Sequence, residues 1–182
     1  MDRDSTLPQL SKADLHPHDG NVFQVLDDFR VFGTYTVEHY RNGRCHLLAL
    51  TMSDQLRLPI GVLVDEHAFE DGLGQPLWAL VHAFCHTPGA EGYLADAKGL
   101  SSPDELKSEY LALAYEPGEL IGDEATDLLT KWLADGLLED YLPGERQALE
   151  RYVRAMHEIG LLANAKDPQQ VQHQVQHDEP TP

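Results

Sequence analysis

Positive charge is what this sequence has least of: 13 Lys and Arg stand against 31 Asp and Glu in 182 residues, a formal net charge of -18 with the histidines neutral. Such a field repels a nucleic-acid backbone or an anionic bilayer unless a local basic patch overrides it, and no such patch occurs. Cysteine is scarcer still. Cys45 and Cys85 are the only two, which excludes a dense disulfide scaffold and points to a reducing compartment. Long apolar runs are also missing; the stretch Leu77 to Cys85 is interrupted by His82 and is far short of the roughly 20 residues that span a bilayer. The opening Met1-Asp2-Arg3-Asp4-Ser5 carries acids where a signal peptide carries bases, and no apolar region follows. The expectation is a soluble, cytoplasmic protein that binds neither nucleic acid directly nor a membrane, with delivery to another cell left open.

What is present suffices for one domain with its own core. Hydrophobic residues make up 42% and aromatics 8% of a chain too short for two ordinary domains and a linker. Residues 1 to 20 are polar and aperiodic and read as a poorly structured lead, and 164 to 182 as a disordered Gln/His-rich tail. The domain between, 21 to 163, has two textures. Pro59 to Asp65, Trp78 to His86 and Tyr93 to Ala97 read as strands, the last two joined as a hairpin across the Pro88-Gly89 turn. Residues 102 to 163 read as helices throughout. Ser102-Pro103-Asp104-Glu105 has the form of a capping box with proline at the first helical position. A second helix is expected over Glu124 to Leu138. A third runs from Glu145, with Leu149, Tyr152, Val153, Met156 and Ile159 in one stripe, and closes near Gly160.

The chemistry concentrates at Asn42-Gly43-Arg44-Cys45-His46. Asn and Gly break the preceding structure and good helix formers follow, so Cys45 falls in the first turn of a helix. Free backbone N–H groups and the helix dipole there favour an anion, lowering a thiol toward the reactive thiolate, and Arg44 adds a neighbouring positive charge. The alternative is that Cys45 is a small buried hydrophobe. A base is available in the hairpin: with the turn centred on Gly89, His82 and Asp96 stand opposite each other. Opposed Cβ atoms lie about 4.5–5.5 Å apart, so the carboxylate can orient the imidazole and leave its other nitrogen for a thiol. A half-buried histidine that merely pairs with an acid is the competing reading. A zinc site from His82, Cys85 and His86 with Cys45 requires a helix, whereas on a strand His82 and Cys85 point to opposite faces. No metal or other cofactor is therefore expected.

The ordered combination of Gly43-Arg-Cys45-His46, Leu58-Pro-Ile-Gly-Val62, His82-Ala-Phe84 and Leu94-Ala-Asp96-Ala-Lys-Gly99 resembles the papain-like cysteine-enzyme superfamily, in particular its transglutaminase-like branch. The resemblance covers residues 40 to 100. It implies an α+β fold in which a Cys-bearing helix packs on a small antiparallel sheet, here followed by a C-terminal helical region. It further implies Cys45 as nucleophile, His82 as general base and acid, Asp96 as the residue orienting the imidazole, and an upstream amide in the oxyanion hole, for which Asn42 is the near candidate and Gln24 the far one. The activity implied is hydrolysis, deamidation or acyl transfer at an amide of a protein or peptide substrate. The rival expectation is a non-catalytic acidic protein that binds a basic protein partner or mimics DNA.

Overall fold

The computed structural model describes residues 29–88, 92–112, 114, 116–158, 160 and 162. The expected lead at 1–20 and tail at 164–182, together with Gln24, Gly89 and Ile159, lie outside the described residues.

Two short strands, β1 (Arg30–Phe32) and β2 (Tyr35–Thr36), pair as a ribbon and lead into α1 (Val37–Arg41) and α2 (Cys45–Leu56). The break between the helices falls where Asn42 and Gly43 predict it, with Gly43 at φ +107°, a conformation that an L side chain strains to adopt. Four strands follow in chain order, β3 (Ile60–Glu70), β4 (Pro76–His86), β5 (Leu94–Asp96) and β6 (Gly99–Ser101). Helix α3 (Pro103–Leu111) starts as expected, with the Ser102 hydroxyl accepting from Glu105 N at 3.3 Å and Glu105 Oε2 accepting from Ser102 N at 3.1 Å.

The reading of 102–163 as helical throughout is corrected by β7 (Pro117–Ile121), which pairs antiparallel with β3. Its side chains alternate between half-buried and exposed, and its proline opens an edge strand where no ladder hydrogen bond is lost. Helices α4 (Asp123–Ala134) and α5 (Glu145–Glu158) complete the chain, α4 ending four residues before the expected Leu138. The result is α+β, with a five-stranded antiparallel sheet in the order β6-β5-β4-β3-β7.

Strand alternation separates two apolar layers. Ile60, Val62, Val64, Ala83, Cys85 and Ala95 pack with Leu47, Leu48 and Met52 of α2 and with Leu149, Val153 and Met156 of α5. Leu63, Phe84 and Leu94 point the other way and pack with Leu106 and Tyr110 of α3. The β3–β4 ladder shifts register at two places, between Leu63 and Val64 and between Asp65 and Phe69, and the first lies beside His82. Leu63 pairs with His82 and Val64 with Leu80, leaving Val81 as an extra residue in β4. Such a bulge bends the strand and re-aims the side chains beside it.

Helix α5 is fastened to the front of α2 by a buried ion pair. Arg44 donates from Nε to Glu145 Oε1 (2.8 Å) and from Nη2 to Glu145 Oε2 (2.6 Å), while Tyr40 Oη and Leu142 N donate to the same carboxylate, each at 2.8 Å. Glu145 is fully buried; desolvation works against its charge, but the Arg44 hydrogen bond leads the interactions that keep its carboxyl below the usual range. Breaking such a pair strands a buried charge. Glu145→Ala should lower stability by about 3–5 kcal/mol in urea denaturation, and Arg44→Met/Glu145→Leu should recover most of that loss. A single variant within about 0.5 kcal/mol of wild type, the range of an ordinary surface substitution, contradicts this reading.

Candidate active site

Cys45 is the first residue of α2 and is 3% exposed. Its sulfur therefore sits where the first-turn N–H groups lack intrahelical acceptors and the positive end of the helix dipole favours an anion. His82 reaches the same place from β4, at the bulge, and is fully buried. Its ring is clamped by aromatic neighbours: Tyr110 of α3 stacks on it at 3.7 Å and 6°, and Phe84 lies at 6.3 Å and 20°. Phe84 in turn rests on Gly61, its cross-strand partner, where any Cβ would collide with the phenyl ring.

Asp96 ends β5 and is held through both oxygens. Oδ1 accepts from Lys98 N at 2.8 Å, and Oδ2 faces His82 Nε2 at 3.3 Å. The expected direct opposition of His82 and Asp96 is corrected by the register: Cys85 pairs with Ala95 and His86 with Leu94, which continued along the ladder sets Asp96 against Phe84. A displacement of two residues preserves the face of the strand. Asp96 thus meets His82 as a diagonal neighbour, a separation that longer side chains bridge. The 3.3 Å contact is an ion-pair distance, and neither ring nitrogen of His82 completes an aligned hydrogen bond.

The thiol and the imidazole shift in opposite senses. Burial alone raises the Cys45 pKa, but interactions with the His46 and His82 rings outweigh it and bring the thiol down to about 6. Burial alone lowers His82, yet the Asp96 carboxylate and the Cys45 sulfur bring it up to about 9. Near neutral pH the pair is thiolate and imidazolium, and its two titration steps belong to the pair jointly. Cys85 shows the contrast: it is completely buried, its Sγ lies 3.4 Å from the Ala49 carbonyl, and burial pushes its thiol up.

Two upstream expectations change. Arg44 is spent on Glu145, Glu139 and the Asp140 carbonyl, so its charge is neutralised away from the sulfur. Asn42 is exposed and its amide donates to Glu38, so it is not placed to serve as an oxyanion donor. His82 and Cys85 face opposite layers, and among the described residues no group of three or more ligating side chains is arranged to hold a metal ion. Two neighbours were not anticipated. Tyr110 has a buried hydroxyl without a hydrogen-bond partner among the described residues, and burial, with the Asp96 charge next, keeps it protonated. His46 is fully buried beside the thiol. Tyr110 carries no local sequence signal, and adjacency made His46 visible, but successive helical residues ordinarily point apart.

Cys45 should react with iodoacetamide along a sigmoid centred near pH 6 and remain reactive above pH 9, because loss of the His82 proton leaves the sulfur ionised. Cys85 should stay unlabelled in the folded protein. Peptide mapping of both sites across pH checks this, and equal, slow labelling of the two contradicts it. No family model, curated protein or solved structure matches the chain.

Proposed function

We propose that the protein is a thiol-dependent enzyme acting on amides, with Cys45 as nucleophile, His82 as proton carrier and Asp96 as its orienting carboxylate. The observation that carries this reading is the burial of a helix-start thiol with an imidazole that faces the Asp96 carboxylate at 3.3 Å, a setting that lowers the thiol and raises the imidazole although burial alone drives both the other way. Groups tuned apart in this manner are a mark of acid and base assignments.

In the proposed reaction the Cys45 thiolate attacks the amide carbonyl and forms a C–S bond. The His82 imidazolium then gives its proton to the leaving nitrogen as the C–N bond breaks. Water or an amine attacks the thioester, His82 takes the proton of that nucleophile, and the sulfur departs as thiolate. The backbone N–H of Cys45, in the first turn of α2 and without an intrahelical acceptor, is the oxyanion donor of this scheme. Asp96 keeps one imidazole nitrogen engaged through the cycle. The resemblance to papain-like and transglutaminase-like enzymes supports the same assignment, and the net charge of -18 favours a protein or peptide substrate with basic character.

One observation favours the second reading, a non-catalytic acidic binding protein for a basic partner: Cys45, His82 and Asp96 are all buried and the Tyr110 ring covers the imidazole. An enzyme with this site must open to admit substrate. Turnover of an activated acyl ester should vanish in Cys45→Ala and fall about 10²–10⁴-fold in Asp96→Asn, the range of a general acid–base contribution. Its pH dependence should be a bell with limbs near 6 and 9, unlike the sigmoid for alkylation. Equal turnover by wild type and Cys45→Ala rejects the enzyme reading.

A further inference from the structure

Two strands of the sheet outrun the others. Among the described residues β7 pairs with β3 only as far as Asp65, and β5 meets β4 only at Cys85 and His86, so 66–70 and 76–79 continue as a two-stranded arm. Such a ribbon is marginal in water by itself, and here its turn is pinned. Asp71 Oδ1 accepts from Leu73 N at 2.7 Å and Gln75 N at 2.9 Å, Asp71 N donates to the Gln75 carbonyl at 2.9 Å, and Gly74 N donates to the Asp71 carbonyl at 3.0 Å.

The held turn displays apolar side chains to water. Leu73 at the tip is 86% exposed and Phe69 65%; Leu77, the cross-strand partner of Phe69, and Trp78 beside it are exposed as well. An apolar group of this kind on an otherwise polar surface marks an interaction site, and aromatic residues are the usual anchors of one. The charge around it has one sign. No Lys or Arg lies between Arg57 and Lys98, whereas Glu66, Glu70 and Asp71 do. Glu70 and Glu116 flank His67 at 3.2 and 3.7 Å, and Lys107, which reaches β7 from α3, is paired with Glu119 at 2.6 Å. A second copy of a chain with net charge -18 meets like charge here, and an anionic bilayer does too. Strand addition is also disfavoured: Pro76 opens β4, and Glu66, His67 and Ala68 stand against Trp78 alone between the pairs Asp65–Ala79 and Phe69–Leu77. Proline and bulges of this kind blunt a sheet edge, leaving the side chains as the surface that recognises a partner.

We propose that this arm is the docking surface for a basic protein segment, whose apolar side chains seat on Phe69, Leu73, Leu77 and Trp78 while its Lys and Arg face Glu70, Asp71 and Glu116. Trp78 and His82 lie on the same strand, about 13 Å apart at the usual rise of about 3.3 Å per residue, so a segment held on the arm lies beside the candidate site. The inference rests on the reading of a basic substrate or partner and assigns where it is held; it does not require turnover at Cys45.

The probe is a fluorescein-labelled lysine–leucine peptide, titrated into the full chain and followed by anisotropy, with ¹⁵N amide spectra to locate it. Binding should move the amide signals of residues 69–78, fall as salt screens the charges, and weaken at least about tenfold in Phe69→Ser/Leu73→Ser, which alters no charge and no core residue. Peptides with serine for leucine or glutamate for lysine should each lose at least about tenfold in affinity. Absence of binding, equal binding by wild type and the double variant, or amide shifts confined to other surfaces overturns the proposal. A concentration-dependent dimer that the variant abolishes assigns the arm to a second copy, Overhauser contacts from Phe69 or Trp78 to 1–20 or 164–182 in the free protein assign it to the chain's own ends, and adsorption to phosphatidylcholine vesicles assigns it to a bilayer; each overturns it as well. Peptide binding without turnover of an activated ester refutes the enzyme reading alone, and turnover without binding at the arm refutes this inference alone.

Discussion

The Arg44–Glu145 pair is the joint on which the arrangement turns. It closes contact between residues about a hundred positions apart, and it does so immediately before Cys45. A buried ion pair gains little net stability over a well-packed apolar pair, but it tolerates no misfit, because both charges have already lost their water. Here the bidentate geometry, with Tyr40 and Leu142 N filling the remaining acceptor positions, fixes the direction in which α2 begins. The C-terminal helices are thus part of what aims the sulfur, and not an appendage to a smaller core.

From that joint the site is assembled by elements that approach from different sides. Helix α2 supplies the thiol from one apolar layer, β4 and β5 supply the imidazole and carboxylate, and α3 supplies the ring that covers the imidazole from the other layer. Burial opposes both charges of the thiolate–imidazolium pair. The His46 ring beside the thiol, the Asp96 carboxylate beside the imidazole and the attraction between the two partners outweigh that opposition.

The helix start at Cys45, the capping box at Ser102 and the face shared by His82 and Asp96 were readable locally, because each depends on few residues. The ladder register was not. It depends on the turn between β4 and β5, yet the error of two residues kept the parity and so kept the two side chains together. Strand β7 escaped because Pro117–Ile121 has too few residues for a period to emerge and gains its structure from pairing with β3. The assignment of Arg44 failed for a different reason. Its charge looked available in the sequence, and only long-range folding reveals that Glu145 and Glu139 consume it. The same range hides the Glu139 carbonyl that anchors His46.

The extra residue at Val81 changes the phase of β4. On its C-terminal side the even-numbered residues His82 and Phe84 look toward α3, whereas on its N-terminal side Leu80 packs in the layer of Val64. A single strand therefore presents two frames, joined at the residue before the imidazole. Deletion of Val81 would bring Leu80 next to His82 in regular alternation with each on its present face, whereas loss of one residue from the regular run His82 to His86 would turn either the base or the residues beyond it to the opposite face. Away from the bulge an insertion or deletion in this strand is consequently a harsher change than most substitutions, because it alters which side of the sheet the side chains beyond it occupy.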